Sequence, residues 1–287
     1  MSRGAIAWAL GGALIGGAAA LVVFAPAAWL AAAVAGASGE QLLLTDARGT
    51  VWRGSAVPVL TGGPGSRDAS ALPGRLQWTL GFDGAALALR ARHDCCLEDE
   101  ARLRVVPGFG RVRLELLPAA NATPPAAPTD ATAAAPPPLA AAVARPIGRW
   151  PASWLVGLGT PWNTLQPSGT LLLSTSGLVL ERVQGRWLFS GNAEIELASM
   201  ASRVSTLDVL GSYRLQISGD AAKGQPAQLQ LSTTSGALQL SGSGQWTASK
   251  LRFTGQAGAA AGSEAVLSNL LNIIGRRQGA VSVISIG

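Results

Sequence analysis

Residues 92–100 read RHDCCLEDE, and the side chains best suited to chemistry gather there. His93 is the only histidine, and Cys95 and Cys96 are the only cysteines, in 287 residues. A thiol beside an imidazole is the arrangement of cysteine nucleophiles. Adjacent residues of a strand point to opposite faces, however, so the geometry expected for a thiol–imidazole pair is not favoured. The expected reading is a solvated polar turn between strands. Glu98, Asp99 and Glu100 offer oxygen ligands for calcium, but three consecutive carboxylates alternate in direction rather than converging into a cage. No Gly-rich phosphate loop followed by Lys-Ser/Thr occurs. One histidine and no Cys cluster argue against a metal site. The chain therefore offers no catalytic residue, metal ligand or cofactor site, and a non-enzyme is expected.

The cysteine pair poses its own problem. Two cysteines in an oxidising compartment usually pair. Neighbouring Cα atoms lie about 3.8 Å apart, short of the usual disulfide separation, so the intervening peptide must distort. A vicinal Cys95–Cys96 disulfide, two free thiols and an intermolecular bridge all stay open. The first, bounding a turn, is the one expected.

The elements that would carry these residues are strands. Leu76, Trp78, Leu80 and Phe82 alternate with Arg75, Gln77 and Thr79, and Leu87, Leu89 and Ala91 alternate with Arg90 and Arg92. Period-two alternation of this kind marks a half-buried strand. RLRVV and RVRLELL repeat it around the turn PGFG (107–110), with Arg102, Arg104, Arg111, Arg113 and Glu115 on the wet face. NAEIELA, YRLQIS, AQLQLS, ALQLS and KLRFTG continue it, so about a dozen short segments form an antiparallel meander, a curved sheet with one apolar face. SEAVLSNLLNIIGRRQ (263–278) stands apart as an amphipathic helix, with Ser263 as N-cap and Gly275 as C-cap. Arg276 and Arg277 fall at its negative end. Val266, Leu270 and Ile274, joined by Leu267 and Leu271, form its apolar face. VSVISIG returns as a last strand, and a shorter helix is expected near 198–209.

Composition agrees. With 48% hydrophobic and only 13% charged residues, the +6 charge is spread out and lacks the Lys/Arg block of a nucleic-acid binder. Residues 4–25 are apolar and uncharged, preceded by Arg3, with Trp8 and Trp29 near the two ends. That run has the length of a membrane-spanning helix, and it exceeds the apolar core of a cleaved signal peptide. The expectation is a single-pass anchor, tail in the cytoplasm and bulk exported. Four segments follow: the anchor and its flank (1–36), a first β half (37–117), a Pro/Ala-rich connector or insertion (118–146) and a second β half (147–287).

The halves echo one another. APAAWLAAAVAGASGEQLLL (25–44) is matched by WPASWLVGLGTPWNTLQPSGTLLL (150–173), and GTVWRGSA (49–56) by GRWLFSGNA (185–193). Glycines allow tight turns and a Trp fills the same niche in each copy. Trp52, Trp78 and Trp187 are accordingly expected as core residues on buried or half-buried sheet faces.

The apolar N-terminus, GTVWRGSA, LPGRLQWTL (72–80), the Cys pair, GTPWNTLQPSGTLLL (159–173) and LLNIIGRRQG (270–279) occur in an order and spacing that resemble the type II secretion system protein N family. The resemblance spans nearly the whole chain except the connector, which departs from the family pattern. It implies a non-enzymatic, single-pass inner-membrane protein with a periplasmic β-rich domain. Such a protein is accessory to the export of folded proteins across the outer membrane. Its implied partners are the inner-membrane platform and the outer-membrane channel. The competing expectation is a periplasmic lipid-handling protein whose apolar sheet face forms an acyl groove.

Overall fold

The computed structural model describes residues 3–117, 144–184, 186–220, 223, 225–247 and 250–287. The first part holds α1 (Arg3–Val23), α2 (Ala27–Ala37), β1 (Leu42–Gly49), β2 (Arg53–Thr61), β3 (Ala69–Ala71), β4 (Leu76–Asp83), β5 (Ala86–His93), β6 (Ala101–Gly108) and β7 (Arg111–Leu117). The second begins with β8 (Arg145–Pro151), a 3-10 turn (Ala152–Leu158), α3 (Trp162–Leu165), β9 (Pro167–Val183) and β10 (Arg186–Ser202). It continues with β11 (Gly211–Gly219), β12 (Ala227–Gly236), β13 (Leu238–Thr247), β14 (Lys250–Ala259), α4 (Glu264–Ile274), β15 (Arg276–Gln278) and β16 (Val281–Ile286). Of the connector 118–146, all but its last three residues lie outside the described part, and Arg145 already opens β8.

The described strands form one antiparallel sheet in the order β1-β2-β4-β5-β6-β7-β9-β10-β11-β12-β13-β14-β16-β15, with β3 beside β2 and β8 beside β9. The two halves are continuous. The far end of β9 pairs with β7 (Leu114↔Leu180, Leu116↔Leu178), while its near end pairs with β8 (Trp150↔Leu171). One 17-residue strand thus takes two successive partners along one edge and β10 along the other.

Cross-strand register puts the apolar residues on one face. Leu80, Leu89, Leu103, Leu116 and Leu178 stand directly opposite one another on five consecutive strands. Leu173, Ile195, Leu215 and Leu231 continue the face through the second half. Such opposed pairs are the unit by which a sheet gains stability. The register shifts between Asn192 and Ala193, opposite Gly177 and Thr175. Next to this bulge, Gly191 has φ +106 and a Cβ there would overlap the Gly177 carbonyl, so glycine is required.

Helices cover this face at two places. Leu267, Leu270 and Leu271 of α4 pack with Tyr213, Leu238, Met200 and Ala257. Ala27 of α2 packs with Ala56 and Trp78, flanked by Leu44 and Leu89. Pro26 and Pro151 each precede a helical segment on the way to a strand with three consecutive leucines, β1 and β9.

Three details differ from the sequence expectation. Residues 198–202 finish β10 instead of starting a helix, because pairing with β9 (Ala198↔Thr170, Ala201↔Ser168) overrides weak local helix preference. Helix α4 turns Leu267, Leu270 and Leu271 inward and leaves Val266 42% exposed. Gly275 ends α4 in extended backbone, and Arg276 and Arg277 belong to β15, where they pair with β16. At the N-terminus α1 is 21 residues long, with side chains described at Trp8, 11–13 and 15–23. Among the described residues no helix is long and apolar enough to cross a membrane.

Candidate functional site

The alternation of β5 determines where His93 goes. It follows Leu87, Leu89 and Ala91 on the apolar side, opposite Leu76, and is 4% exposed. The solvated turn expected for it is therefore wrong for the imidazole, although Asp94 and Cys95 beside it are exposed. Nδ1 of His93 accepts a hydrogen bond from the Cys95 amide (3.4 Å), and Nε2 has no partner among the described residues. Burial lowers the His93 pKa from 6.5, against an opposing pull from Asp94. The unfolded chain then takes up this proton before the folded one does as pH falls. Stability should drop below pH 6.5, by at most about 1.4 kcal/mol per pH unit, until the native pKa is passed. Urea midpoints at pH 7.5 and 5.5 should diverge more for the natural chain than for His93→Gln. Equal divergence would mean the imidazole is solvated.

Cys95 and Cys96 are joined, with Cα atoms 3.7 Å apart. Ligand atoms of His93, Cys95 and Cys96 lie within 4.8 Å of one another. Joined sulfurs carry no thiolate charge, so neither a nucleophile nor a thiolate ligand faces the imidazole. What the loop does is bind backbone. The Arg149 amide donates to the Cys96 carbonyl (2.9 Å), and the Glu98 amide to the Ile147 carbonyl (3.2 Å). A bridge pairs Leu97 with Gly148, where a Cβ would overlap the Cys96 carbonyl. The cysteine loop thus clasps β8, holding the two halves together a second time. Glu98 pairs with Arg149, and Glu100 with arginines of the polar face.

The three tryptophans have separate surroundings. Trp78 is 4% exposed, and its indole N–H donates to the Val51 carbonyl (3.1 Å). Trp52 is half-buried in the turn between β1 and β2, not within a strand. Its indole N–H donates to the Val22 carbonyl of α1 (2.8 Å), and its ring lies 5.5 Å from that of Phe82. Trp187 is half-buried on β10, with the Arg182 guanidinium 5.7 Å from its ring.

Among the described residues, little covers the apolar face beyond α2 and α4. Leu103, Val105, Leu114, Leu116, Leu178 and Leu180 are only half-buried, and Phe82 is 74% exposed. On the opposite face, arginines from β1, β2, β4's approach and β5 surround a cleft of about 710 Å³. Strand alternation placed Arg90, Arg92 and Arg102 on that wet face. The gathering of Arg48, Arg53 and Arg75 beside them depends on strand order, which alternation does not encode.

Comparison with known proteins adds one finding. The family described as Type II secretion system (T2SS), protein N, matches over residues 40–284. No curated protein matches the chain. No solved structure matches it either.

Proposed function

The chain belongs to the type II secretion system protein N family and is a component of that system; we propose that it is an accessory, non-enzymatic scaffold anchored in the inner membrane. The family match is the observation that carries this reading. In the proposal α1 spans the membrane once with Arg3 on the cytoplasmic side, and the sheet stands in the periplasm between platform and channel proteins.

Several features support it. Ile15, Leu21, Val22 and Val23 of α1 are all exposed, and a helix apolar on every side needs non-aqueous surroundings. By sequence the uncharged apolar run 4–25 would reach about 33 Å as a helix, enough for the hydrocarbon core, although the described part of α1 alone falls short of a crossing. The strand order ends at one side on β15, three residues long with two arginines, a blunted edge. At the other it ends on the eight-residue β1, the edge we assign to a partner's strand. N-terminal sequencing of membrane-extracted protein should recover residues 2–10. A mature start near Ala37 or Gly39 would contradict the anchor.

The half-buried apolar face favours a second reading, lipid handling along that face. Phospholipid extracted in stoichiometric amount whatever its headgroup charge would support it, and a preparation that retains no neutral phospholipid would leave the scaffold reading alone.

A further inference from the structure

The polar face near α1 carries an excess of positive charge that the described residues do not neutralise. Arg53, Thr79, Arg90 and Arg102 stand directly opposite one another on β2, β4, β5 and β6. The neighbouring row is Arg48, Ser55, Gln77 and Arg92. Like charges set side by side across a sheet are destabilising unless a counter-charge sits among them.

Two carboxylates serve that purpose. Asp46 accepts from Arg75 (2.6 Å) and Arg48 (2.8 Å), and these hydrogen bonds hold its carboxyl below the usual range. Asp46 is aimed at them by a bulge in β1, where its φ is +49, and Arg75 also donates to its carbonyl (2.6 Å). Glu100 accepts from Arg92 (3.0 Å) and Arg102 (3.1 Å), with Arg90 3.8 Å away. Burial pushes the Glu100 carboxyl up, and those hydrogen bonds more than offset it. Six guanidiniums against two carboxylates leave four positive charges over. Arg53 has no carboxylate partner among the described residues. The cleft they surround, about 710 Å³, is within the range of small-molecule sites.

Its position narrows the ligand. Arg53 follows Trp52, whose indole is tied to the Val22 carbonyl near the end of α1. The Val51 amide donates to the Ala25 carbonyl (2.8 Å), and Pro26 bridges Thr50. The arginine row thus begins one residue from the clamp that holds the helix. The exposed Phe82 ring against Trp52 places aromatics at the same end, as is usual at membrane–water boundaries. Planar guanidiniums bind phosphate oxygens in bidentate fashion.

We propose that this cleft binds the phosphate headgroup of an anionic phospholipid from the leaflet at the end of α1. The proposal rests on the anchor reading for the lipid's location, while the arginine geometry stands without it. An acyl groove would lie on the other face of the sheet.

The test uses the full chain in neutral detergent, doped with phosphatidylglycerol or phosphatidylcholine and read by native mass spectrometry. Phosphatidylglycerol should be retained over phosphatidylcholine by about ten-fold or more, the equivalent of one charge-assisted contact. Arg53→Gln with Arg90→Gln should remove that preference, and Arg53→Lys with Arg90→Lys should restore part of it, with far-UV spectra unchanged in both. Equal retention of the two lipids by the natural chain overturns the proposal without any variant. So does displacement of the lipid by equimolar inorganic phosphate, which marks a free-anion site. Tighter binding of hexaglutamate, lost in the same Gln variant, would assign the cleft to an acidic protein segment instead. The mass of the same sample reports the N-terminus. A chain processed near Ala37 that still prefers phosphatidylglycerol sinks the anchor alone, and an intact chain without preference sinks the headgroup site alone.

Discussion

Trp78→Ala should lower the stability of the full chain in mild detergent by about 3–5 kcal/mol, the usual cost of removing a buried Trp. The ring is almost fully enclosed by α2 and β2, and its neighbour Gly54 has no room for a Cβ against it. Deletion would leave a cavity under α2 and orphan the Val51 carbonyl. Trp187→Ala should cost much less, because that ring is half open to solvent and backed by Arg182. Urea midpoints followed by far-UV circular dichroism check both. Equal midpoints for the two variants would mean that the face assigned to Trp78 is wrong.

Leu271→Ala should cost about 2–5 kcal/mol, as for other fully buried leucines. Leu271 has no exposed surface, and its carbonyl accepts a hydrogen bond (2.6 Å) from the equally buried Ser282 of β16. Losing the side chain loosens α4 from the strands that end the sheet. Val266→Ala, one turn earlier on the exposed side, should stay within about 0.5 kcal/mol. Reversed costs in the same urea experiment would show that α4 presents its other face.

These positions show which parts of the fold a sequence can reveal. Alternation in RLQWTLGF and AALALRAR gave the correct faces for Trp78 and for Arg90, because burial on one side imposes a period of two. The same period, carried one step past Ala91, points His93 inward. Its polar neighbours argued for solvent, but chain direction decided the matter. In α4 the leucine positions alone allow either a Val266 or a Leu267 stripe, and contact with β14 and β16 selects the latter.

Long-range pairing was not legible. Nothing local in β9 says that Leu171 meets Trp150 while Leu178 meets Leu116, since both partners are ordinary apolar strands. The clasp between Cys96 and Arg149 joins residues more than fifty apart through backbone groups, which leave no mark on side-chain pattern. Gly148 is its one trace in the sequence, and a single glycine does not announce what approaches it. The polar-face cleft is similar: each arginine is readable as wet, and only the order β1-β2-β4-β5 brings them together.

In the proposed function the protein acts in secretion as a tethered scaffold, through its sheet and anchor and not through a reactive side chain. The most direct measurement is secretion of a folded exoprotein by cells carrying variants at matched levels. Replacing residues 1–36 with a cleavable signal should impair secretion, because tethering raises the local concentration at membrane partners. His93→Ala, in the same assay, should secrete nearly as well as the natural chain. A normally folded His93→Ala protein that abolishes secretion, beside an untethered form that secretes fully, would contradict the account.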